Sequence, residues 1–363
     1  MLVVNAGSST VKLRLLGDDD TLIADHELQA PQSQIDRSEL RAALDDGLDQ
    51  ADAVGHRIVH GGERFRGPIR VDAQVEHALD ALTALAPLHQ PKSLEALRAV
   101  SAALPGLPAV ACFDTAFHAT IPPAATTYAL PEAWRERWRL RRYGFHGLSH
   151  AWISRRAPQL LGVPASELRI VSCHLGAGAS LCAIAAGASI DTTMGFTPLE
   201  GLVMATRSGS VDPGMLLWLL EREHLTEREL AEALEHESGL LGLAGTADMR
   251  EVIDRSQRGE EPAALALDVY VHRLRAAIAA MAASLRGLDV LVFTGGVGER
   301  APLVRARAAD GVAFLGVALD ESANAAADDD AVISSADCSV RTLVVHARED
   351  LEISHQVRSL LAG

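Results

Sequence analysis

The chain has 363 residues, of which 48% are hydrophobic and 22% are charged, and its formal net charge is −15. This length suits two domains, and this composition is typical of a globular protein rather than a disordered one. The acidic balance argues against a general nucleic-acid binder, because such proteins gain affinity from basic surface. No apolar run approaches the roughly 18 residues of a membrane-spanning helix. We also find no signal-peptide pattern, so we expect a cytoplasmic protein with no membrane or nucleic-acid partner.

Strand-like apolar runs alternate with helical patterns along the chain, which predicts an α/β fold. The predicted strands, in chain order, are 2–4, 11–16, 53–59, 108–113, 168–173, 180–185, 289–294 and 342–346. The predicted helices are 92–104, 213–222, 227–236, 261–286 and 349–361. The stretches 17–50 and 318–337 are weakly patterned, and we expect them to be surface segments.

The spacing of cysteine and histidine argues against a zinc site. The four cysteines lie far apart with no Cys-x-x-Cys, and no His-Glu-x-x-His is present. We expect the cysteines to be reduced thiols, with Cys112 and Cys173 buried in strand-like runs. A magnesium ion is the better candidate, because it needs few protein oxygens and is carried by phosphates.

Three glycine-rich stretches follow or join predicted strands: NAGSSTVK (5–12), HLGAGAS (174–180) and FTGGVGER (293–300). The first lacks the order of a Walker A loop, and the third lacks that of a dinucleotide fingerprint. A hairpin turn can still bind phosphate through backbone N–H groups, hydroxyls and a lysine such as Lys12. Each stretch alone is usually an ordinary turn, but the three together suggest a site for the phosphate chain of a nucleotide.

Two pairs of segments hint at an internal repeat. VVNAGSSTVKL (3–13) is similar to SCHLGAGASLC (172–182), and IVHGGER (58–64) is similar to VFTGGVGER (292–300). The similarity is short, and chance is an alternative explanation. If the repeat is real, it implies two related halves, each with a glycine-rich hairpin at a cleft between them.

Several stretches, taken together and in this order, resemble the acetate/butyrate kinase family of the sugar kinase–Hsp70–actin superfamily. They are NAGSSTVK, GHRIVHGGERF, LAPLHQP, FDTAFH, RRYGFHGLSH, MGFTPLEGLVMATRSGSVDPG and FTGGVGER. The resemblance implies a two-domain, actin-like ATPase fold, in which a ribonuclease H-like core is duplicated around an interdomain cleft. The implied domains are 1–118 plus 351–363, and 119–350.

The resemblance also implies a reaction: direct in-line, reversible transfer of the ATP γ-phosphoryl group to acetate, which gives acetyl phosphate and ADP. Mg²⁺ would be the metal, with Mn²⁺ as a substitute, and the enzyme would be a homodimer. Asn5 and Glu349 match the metal-site residues. Acetate is already ionised at neutral pH, since carboxylic acids titrate near ~4. A general base is therefore not needed, and the carboxylate of Asp114 would orient the arginines and acetate.

The remaining roles also come from the resemblance, position by position. The catalytic positions are Arg57, Asp114, His146 and Arg207, and the acetate pocket comprises Arg57, Val59, Leu88, Phe145 and Pro198. His89 matches a secondary active-site position. The ATP positions are Ser8, Thr10, Lys12, His174, Leu175, Gly176, Ala177, Gly178, Asp248, Met249, Arg250, Gly296, Val297, Gly298, Glu299 and Arg300.

The sequence departs from the family pattern at Ala177, Arg300 and Arg348, each of which stands where the family usually has Asn. Loss of the amide at Ala177 removes a donor near the phosphates, and Arg348 adds charge near the metal. Three alternatives remain: a propionate or butyrate kinase, an enzyme that uses pyrophosphate as donor, and a non-catalytic actin-like nucleotide-binding relative. A non-catalytic relative should have lost Arg57, His146, Arg207 or Glu349, and all four are present.

Overall fold

The computed structural model describes residues 1–6, 10–29, 36–86 and 90–362. Ser8, Leu88 and His89, which carry predicted roles, lie outside the described residues. The chain folds into two compact units. The first unit comprises Met1–Ala119, Phe145–Trp152 and Arg348–Gly363, and the second comprises Thr120–Gly144 and Ile153–Ala347. The segment 145–152 groups with the first unit here, whereas the predicted boundaries assign it to the second domain; those boundaries stay a prediction.

Each unit is built on a six-stranded mixed sheet. The first-sheet strands are β1 (Leu2–Ala6), β2 (Thr10–Leu16), β3 (Leu22–Gln29), β4 (Val54–Ile58), β5 (Ile69–Arg70) and β6 (Ala109–Phe113). The second-sheet strands are β7 (Arg169–Leu175), β8 (Ala179–Ala185), β9 (Ala188–Thr192), β10 (Val290–Thr294), β11 (Ala331–Val332) and β12 (Arg341–Val344). The strand order is β3-β2-β1-β4-β6-β5 in the first sheet and β11-β12-β10-β7-β8-β9 in the second.

The two sheets follow the same path. Each begins with an antiparallel three-strand meander, β1-β2-β3 or β7-β8-β9. The first meander strand pairs in parallel with β4 or β10, which in turn pairs in parallel with β6 or β12. A short antiparallel strand, β5 or β11, forms the far edge. This shared strand path is what two related halves would give, and the pair β1–β2 occupies the same place in the first sheet as the pair β7–β8 in the second.

Helices account for most of the remaining chain, and among the described residues none is both long enough and apolar enough to span a bilayer. Their starts follow capping rules: Asp212 caps the helix Pro213–Arg222, and Thr226 with Glu229 forms a capping box on the helix Glu227–His236. The helices are α1 (Arg37–Asp45), α2 (Ala73–Ala81), α3 (Gln90–Ala103), α4 (Pro123–Thr126), α5 (Glu132–Trp138), α6 (Gly147–Leu161), α7 (Pro213–Arg222), α8 (Glu227–His236), α9 (Gly239–Ala244), α10 (Met249–Gln257), α11 (Glu261–Leu285), α12 (Gly295–Arg300), α13 (Pro302–Asp310), α14 (Glu321–Ala326) and α15 (Glu349–Ala362).

The predicted strands and helices are all present, and their ends differ from the prediction by at most two residues. The stretch 17–50 also contains β3 and α1, which the sequence did not predict; β3 is an edge strand whose side chains are mostly exposed, as expected of a surface segment. One expectation was wrong: the third glycine-rich stretch forms the short helix α12 directly after β10 and is not a turn.

One packing contact positions part of the candidate site. The helix α15 lies on the first sheet, where Ile353 and Val357 pack with Val3, Val110 and Cys112. Gly55 on β4 permits this approach, because a Cβ atom there would lie 2.5 Å from Cγ2 of Ile353. Close packing of α15 on β4 brings its first residue, Glu349, toward the end of the sheet that carries Arg57.

Candidate active site

Three polar side chains lie at the carboxyl ends of neighbouring parallel strands in the first unit. Asn5 is on β1, Arg57 is on β4, and Asp114 directly follows β6. Parallel strands end at the same edge of a sheet, which is where α/β proteins commonly bind ligands. Glu349 joins them from the start of α15. These four residues form one hydrogen-bonded network, which we call the Arg57 network.

Arg57 is the centre of this network. Its Nη2 and Nε atoms donate to Asp114, with Nη2–Oδ2 at 2.7 Å and Nε–Oδ1 at 3.1 Å. Its Nη1 atom donates to Oδ1 of Asn5 at 3.1 Å and lies 3.6 Å from Oε2 of Glu349. The Nδ2 group of Asn5 donates to the same Glu349 oxygen at 3.0 Å. Contacts with Asp114, Asn5 and Glu349 thus fix the orientation of the Arg57 guanidinium.

The network is largely buried, with side-chain exposures of 16% for Arg57, 2% for Asp114 and 13% for Glu349. Burial opposes a charge on Arg57, but the two carboxylates outweigh it and raise the pKa of the guanidinium above its ordinary value. Burial raises the pKa of Asp114, while Arg57 acts in the opposite direction. The carboxylate oxygens of Asp114 and Glu349 and the amide oxygen of Asn5 are donors of the kind that a hard cation such as Mg²⁺ prefers.

The segment 145–147 is fixed beside Asp114. The N–H of Gly147 donates to the carbonyl oxygen of Asp114 at 2.8 Å, and a Cβ atom at position 147 would overlap that oxygen. Phe145 is buried against His60, with ring centroids 5.5 Å apart. Burial lowers the pKa of His60 to about 4, so this imidazole is neutral at pH 7. His146, which has a left-handed φ of 55°, is therefore attached at both ends to residues of the first unit.

Arg207 lies in the second unit, in a loop between β9 and α7. Its Nη1 atom donates to the carbonyl oxygen of Pro198 at 3.4 Å and lies 4.0 Å from Sδ of Met204. Burial lowers the pKa of Arg207, and Glu235 partly offsets this. The structure thus brings together two predicted residues, Arg207 and Pro198.

In the first unit, the structure places Val59 immediately after β4, buried beside His60.

The second unit contains a cavity of about 330 Å³ beside the glycine-rich segments. Its wall is formed by the β7–β8 turn, the loop near residue 205, and parts of α9, α10, α11 and α12. The lining residues are Gly176, Ala177, Ala205, Leu240, Ala247, Asp248, Met249, Arg250, Tyr270, Gly296, Val297, Arg300 and Ala301. Residues predicted from three separate stretches to bind ATP therefore line a single cavity, which we call the nucleotide-candidate cavity.

Some predicted ATP residues do not line this cavity. His174, Leu175 and Gly178 belong to β7 and its turn, and Gly298 is buried in α12. The carboxylate of Glu299 accepts hydrogen bonds from the backbone N–H groups of Gly295 and Ala347, each at 2.9 Å. These bonds tie α12 to the residue that follows His346.

The predicted phosphate hairpin is only partly described. Thr10 begins β2, and Lys12 is half-exposed with Nζ 3.8 Å from Oε2 of Glu27 on β3. Lys12 lies directly across the hairpin from Asn5 in the β1–β2 register. An exposed ion pair of this kind is weak, so Lys12 can turn from Glu27 toward an anionic ligand at little cost.

The charge added by Arg348 is balanced locally. Its Nε and Nη2 atoms donate to Asp350 at 3.0 Å each, and Arg14 lies 3.4 Å from the same carboxylate. Asp350 thus neutralises much of the extra positive charge near Glu349.

Sequence reasoning missed five residues that line the cavity: Ala205, Leu240, Ala247, Tyr270 and Ala301. Four of them are small or apolar and carry no local signal of a binding site. Tyr270 could have been noticed, because it is a polar residue on the buried stripe of α11, among Ala266, Leu267 and Leu274.

A duplicated mixed sheet with this strand path defines the actin-like ATPase class of folds, as the sequence predicted. A protein-family model described as the acetokinase family matches residues 21–355. The chain is 49% identical to an acetate kinase of Gloeobacter violaceus over 309 residues, covering 85% of this chain and 76% of the relative. It superposes on the crystal structure of Porphyromonas gingivalis acetate kinase with a TM-score of 0.92 and 36% identity, covering 99% of each chain.

A propionate kinase from Francisella tularensis is similar as well, with a TM-score of 0.91, 34% identity and 98% of each chain covered. The family match spans well over half of the chain. The chain therefore belongs to the acetokinase family.

Proposed function

We propose that this chain catalyses the reversible transfer of the γ-phosphoryl group of ATP to acetate, giving acetyl phosphate and ADP. The observation that carries this proposal is the Arg57 network, a buried arginine held in a fixed plane by Asp114 and Asn5. A planar guanidinium suits both a carboxylate and the equatorial oxygens of a phosphoryl group in transfer. Similarity to acetate kinases along most of the chain supports the same reaction.

The transfer needs no proton. A carboxylate oxygen of acetate attacks the γ-phosphorus, the bond from that phosphorus to the β–γ bridging oxygen breaks, and ADP leaves with the electron pair. Acetate is ionised at neutral pH, since carboxylic acids titrate near ~4. Asp114 is held by Arg57 at two points, so in this proposal it orients the guanidinium and does not act as a base. Transfer is direct and in line, without a phosphorylated enzyme.

Arg57, Arg207 and His146 would stabilise the charge that develops on the transferred group. Arg57 is fixed by hydrogen bonds in the first unit, and Arg207 lies beside Pro198 in the second. Val59, Phe145 and Pro198, with Leu88, would surround the methyl group of acetate. The burial of Phe145 and Val59 supports an apolar pocket.

Asn5 and Glu349 are the residues that would hold Mg²⁺, or Mn²⁺ in its place. When bound, the ion neutralises phosphate charge and orients the phosphate chain. The amide and carboxylate oxygens of this pair fit a hard cation. The Nδ2 group of Asn5 already donates a hydrogen bond to Oε2 of Glu349 at 3.0 Å, so the two side chains lie side by side.

The nucleotide-candidate cavity would receive the adenosine of ATP. Its volume of about 330 Å³ is within the usual range for a small-molecule site. Its wall is mostly apolar, with Asp248, Arg250 and Arg300 as the charged contributions. A Cβ atom at Gly296 would meet no atom within 4 Å, so this part of the wall leaves room for a base. Ser8, Thr10, Lys12 and His174 would contact the phosphates.

A propionate-specific enzyme is the second candidate, because a propionate kinase is among the similar solved structures. Acetate and propionate differ by one methylene group, which in an apolar pocket changes the binding free energy of the transition state by only about 1–3 kcal/mol. We therefore expect acetate as the preferred acceptor and propionate as a slower one.

We also propose that the enzyme is a cytoplasmic homodimer. The helix α7 and the residue Val211 shortly before it present exposed apolar side chains, which include Met215, Leu217 and Trp218. Clustered exposed apolar residues mark association surfaces more often than chance. The described cysteines are all free thiols, which is typical of a reducing compartment.

The test is to incubate purified protein with Mg²⁺ and each pairing of acetate, propionate or butyrate with ATP or pyrophosphate. Acyl phosphate is trapped as the hydroxamate. We expect most product with acetate and ATP. Product with pyrophosphate alone would overturn the assignment of the cavity to adenosine, and product chiefly with propionate would overturn the acceptor. No product from folded protein would favour the non-catalytic alternative.

A further inference from the structure

A second cavity of the second unit, which we call the α11–α13 cavity, contains none of the residues that the proposed function uses. It has a volume of about 550 Å³ and is formed by side chains of α11 and α13. Its charged lining residues are three arginines and one aspartate, so it has a surplus of two positive charges in a chain whose net charge is −15. A basic cavity of this kind concentrates small anions from solution. The lining residues are Asp268, Val269, Val271, His272, Arg273, Arg275 and Arg307.

Arg275 is held in place by neighbours on both sides of the cavity. Its Nη2 atom lies 3.2 Å from Nδ1 of His272 on the same helix. A Cβ atom at Gly311, directly after α13, would lie 2.6 Å from Cδ of Arg275, so the arginine stem packs closely on this glycine. A guanidinium can only donate hydrogen bonds. Nδ1 of His272 therefore accepts, and the other N–H groups of Arg275 remain for a ligand.

The other two arginines differ in how they are paired. Arg307 on α13 donates from Nη2 to Oδ1 of Asp268 on α11 at 2.5 Å, which joins the two helices. Arg273 is exposed and has no hydrogen bond or ion pair with any residue that the structure describes. Its five N–H donors are therefore available to a ligand, and their planar, forked arrangement matches the oxygens of a phosphate group.

We propose that the α11–α13 cavity is a second anion site, which binds inorganic phosphate or the phosphate group of a small metabolite. A phosphate group carries about 1.5 to 2 negative charges at neutral pH, which matches the surplus of positive charge in the cavity. Arg275 and Arg307 are already oriented by their contacts, so the cost of ordering side chains falls mainly on Arg273. A bound phosphate would join α11 to α13 and so stabilise the second unit. The inference does not depend on the proposed function.

The experiment measures the binding of inorganic phosphate by isothermal titration calorimetry. The protein is first saturated with Mg²⁺ and a non-hydrolysable ATP analogue, which keeps phosphate out of the proposed active site. We expect phosphate to bind at least about tenfold more tightly than nitrate, a monoanion, at the same ionic strength. Arg273→Gln combined with Arg275→Gln should weaken phosphate binding at least about tenfold, because hydrogen bonds to charged groups are lost.

Arg70→Gln combined with Arg137→Gln is the matched control. It removes the same charge from two exposed arginines that do not line the cavity, and it should bind phosphate as the wild type does. Saturating phosphate should also raise the melting temperature of the wild type and of this control by about one degree or more. The cavity variant should fold and show no such rise.

Two results would overturn the inference: equal affinity of the wild type and the cavity variant for phosphate, or equal affinity of the wild type for phosphate and nitrate. Failure of the ATP analogue to bind would instead contradict the proposed function. In that case the comparison of the cavity variant with its matched control, made without the analogue, still decides whether the cavity binds phosphate.

Discussion

Arg57 and Asp114 contact each other through two donor atoms of the guanidinium, from neighbouring strands β4 and β6 that end at the same edge of the first sheet. Two-point contact fixes the plane of the guanidinium as well as its position. The remaining nitrogen, Nη1, then faces Asn5 and Glu349. Arg57, the predicted phosphoryl-binding arginine, thus connects Asp114 with the predicted metal residues Asn5 and Glu349.

We expect Asp114→Asn to reduce kcat by about a hundredfold or more, because a misplaced catalytic group commonly costs this much. The new amide can place an N–H group against the guanidinium, which would turn Arg57 out of its plane. Steady-state kinetics of acetyl phosphate formation measures the effect.

Asp289→Asn is the matched control for this substitution. Asp289 receives the same two-point contact from Arg169 in the second unit, at 2.7 and 2.9 Å, but lies outside the Arg57 network. The Asp289→Asn variant should be less stable than the wild type and should keep its kcat. If both variants have the same kcat, Asp114 has no role in the reaction.

Gly296→Leu should raise the KM for ATP at least about tenfold and leave the KM for acetate nearly unchanged. The new side chain would fill the cavity rather than clash with protein, since a Cβ atom at Gly296 meets nothing within 4 Å. Gly67→Leu is the matched control, at a similarly open glycine in the first unit. If ATP binds Gly296→Leu as well as the wild type, adenosine does not occupy this cavity.

The buried His56 should make folding stability depend on pH. Burial lowers its pKa to about 3, below the unfolded value of about 6.5. The unfolded chain therefore binds the proton more readily, and stability is complete above about pH 6.5 and falls as the pH drops from there toward about 3. Neither ring nitrogen has a hydrogen-bond partner among the residues the structure describes.

His56→Leu should consequently flatten the dependence of the unfolding free energy on pH between about 6.5 and 4, by up to about 1.4 kcal/mol per pH unit. Urea unfolding at several pH values measures this slope. The exposed His77 provides the control, since His77→Leu should leave the slope as it is. An unchanged slope in His56→Leu would mean that His56 is not held neutral by the fold.

Trp218→Glu should convert the proposed homodimer to monomers. The side chain is 52% exposed on the apolar face of α7, and a charge at the centre of an interface is costly. Phe314→Glu, at a side chain that is 75% exposed, is the control and should leave the mass unchanged. Light scattering measures the molar mass of each variant. If both variants remain dimers, the interface lies elsewhere.

The sequence predicted the sheets well because inner strands such as β6 and β10 are continuous apolar runs. It did not predict β3, whose exposed edge position leaves no clear alternation. It also indicated a turn at FTGGVGER, since three glycines outweigh local helix propensity. In the structure, Glu299 braces this segment as α12 through contacts with Gly295 and Ala347 that no local pattern reveals.

The candidate site was predictable to different degrees in its two parts. The residues of the Arg57 network were predicted because they carry charged or amide side chains within recognisable motifs. The cavity was found only in part, because Leu240 and Tyr270 reach it from helices far apart in the chain. Such residues are defined by long-range packing, and short motifs contain no information about them.

The most direct test of the central claim is ³¹P NMR of the purified protein with acetyl phosphate, ADP and Mg²⁺. The account predicts that the acetyl phosphate signal declines while ATP phosphorus signals rise one for one, and that Asp114→Asn slows both changes together. Hydrolysis of acetyl phosphate to inorganic phosphate with no gain of ATP, by folded protein, would contradict phosphoryl transfer between these two substrates.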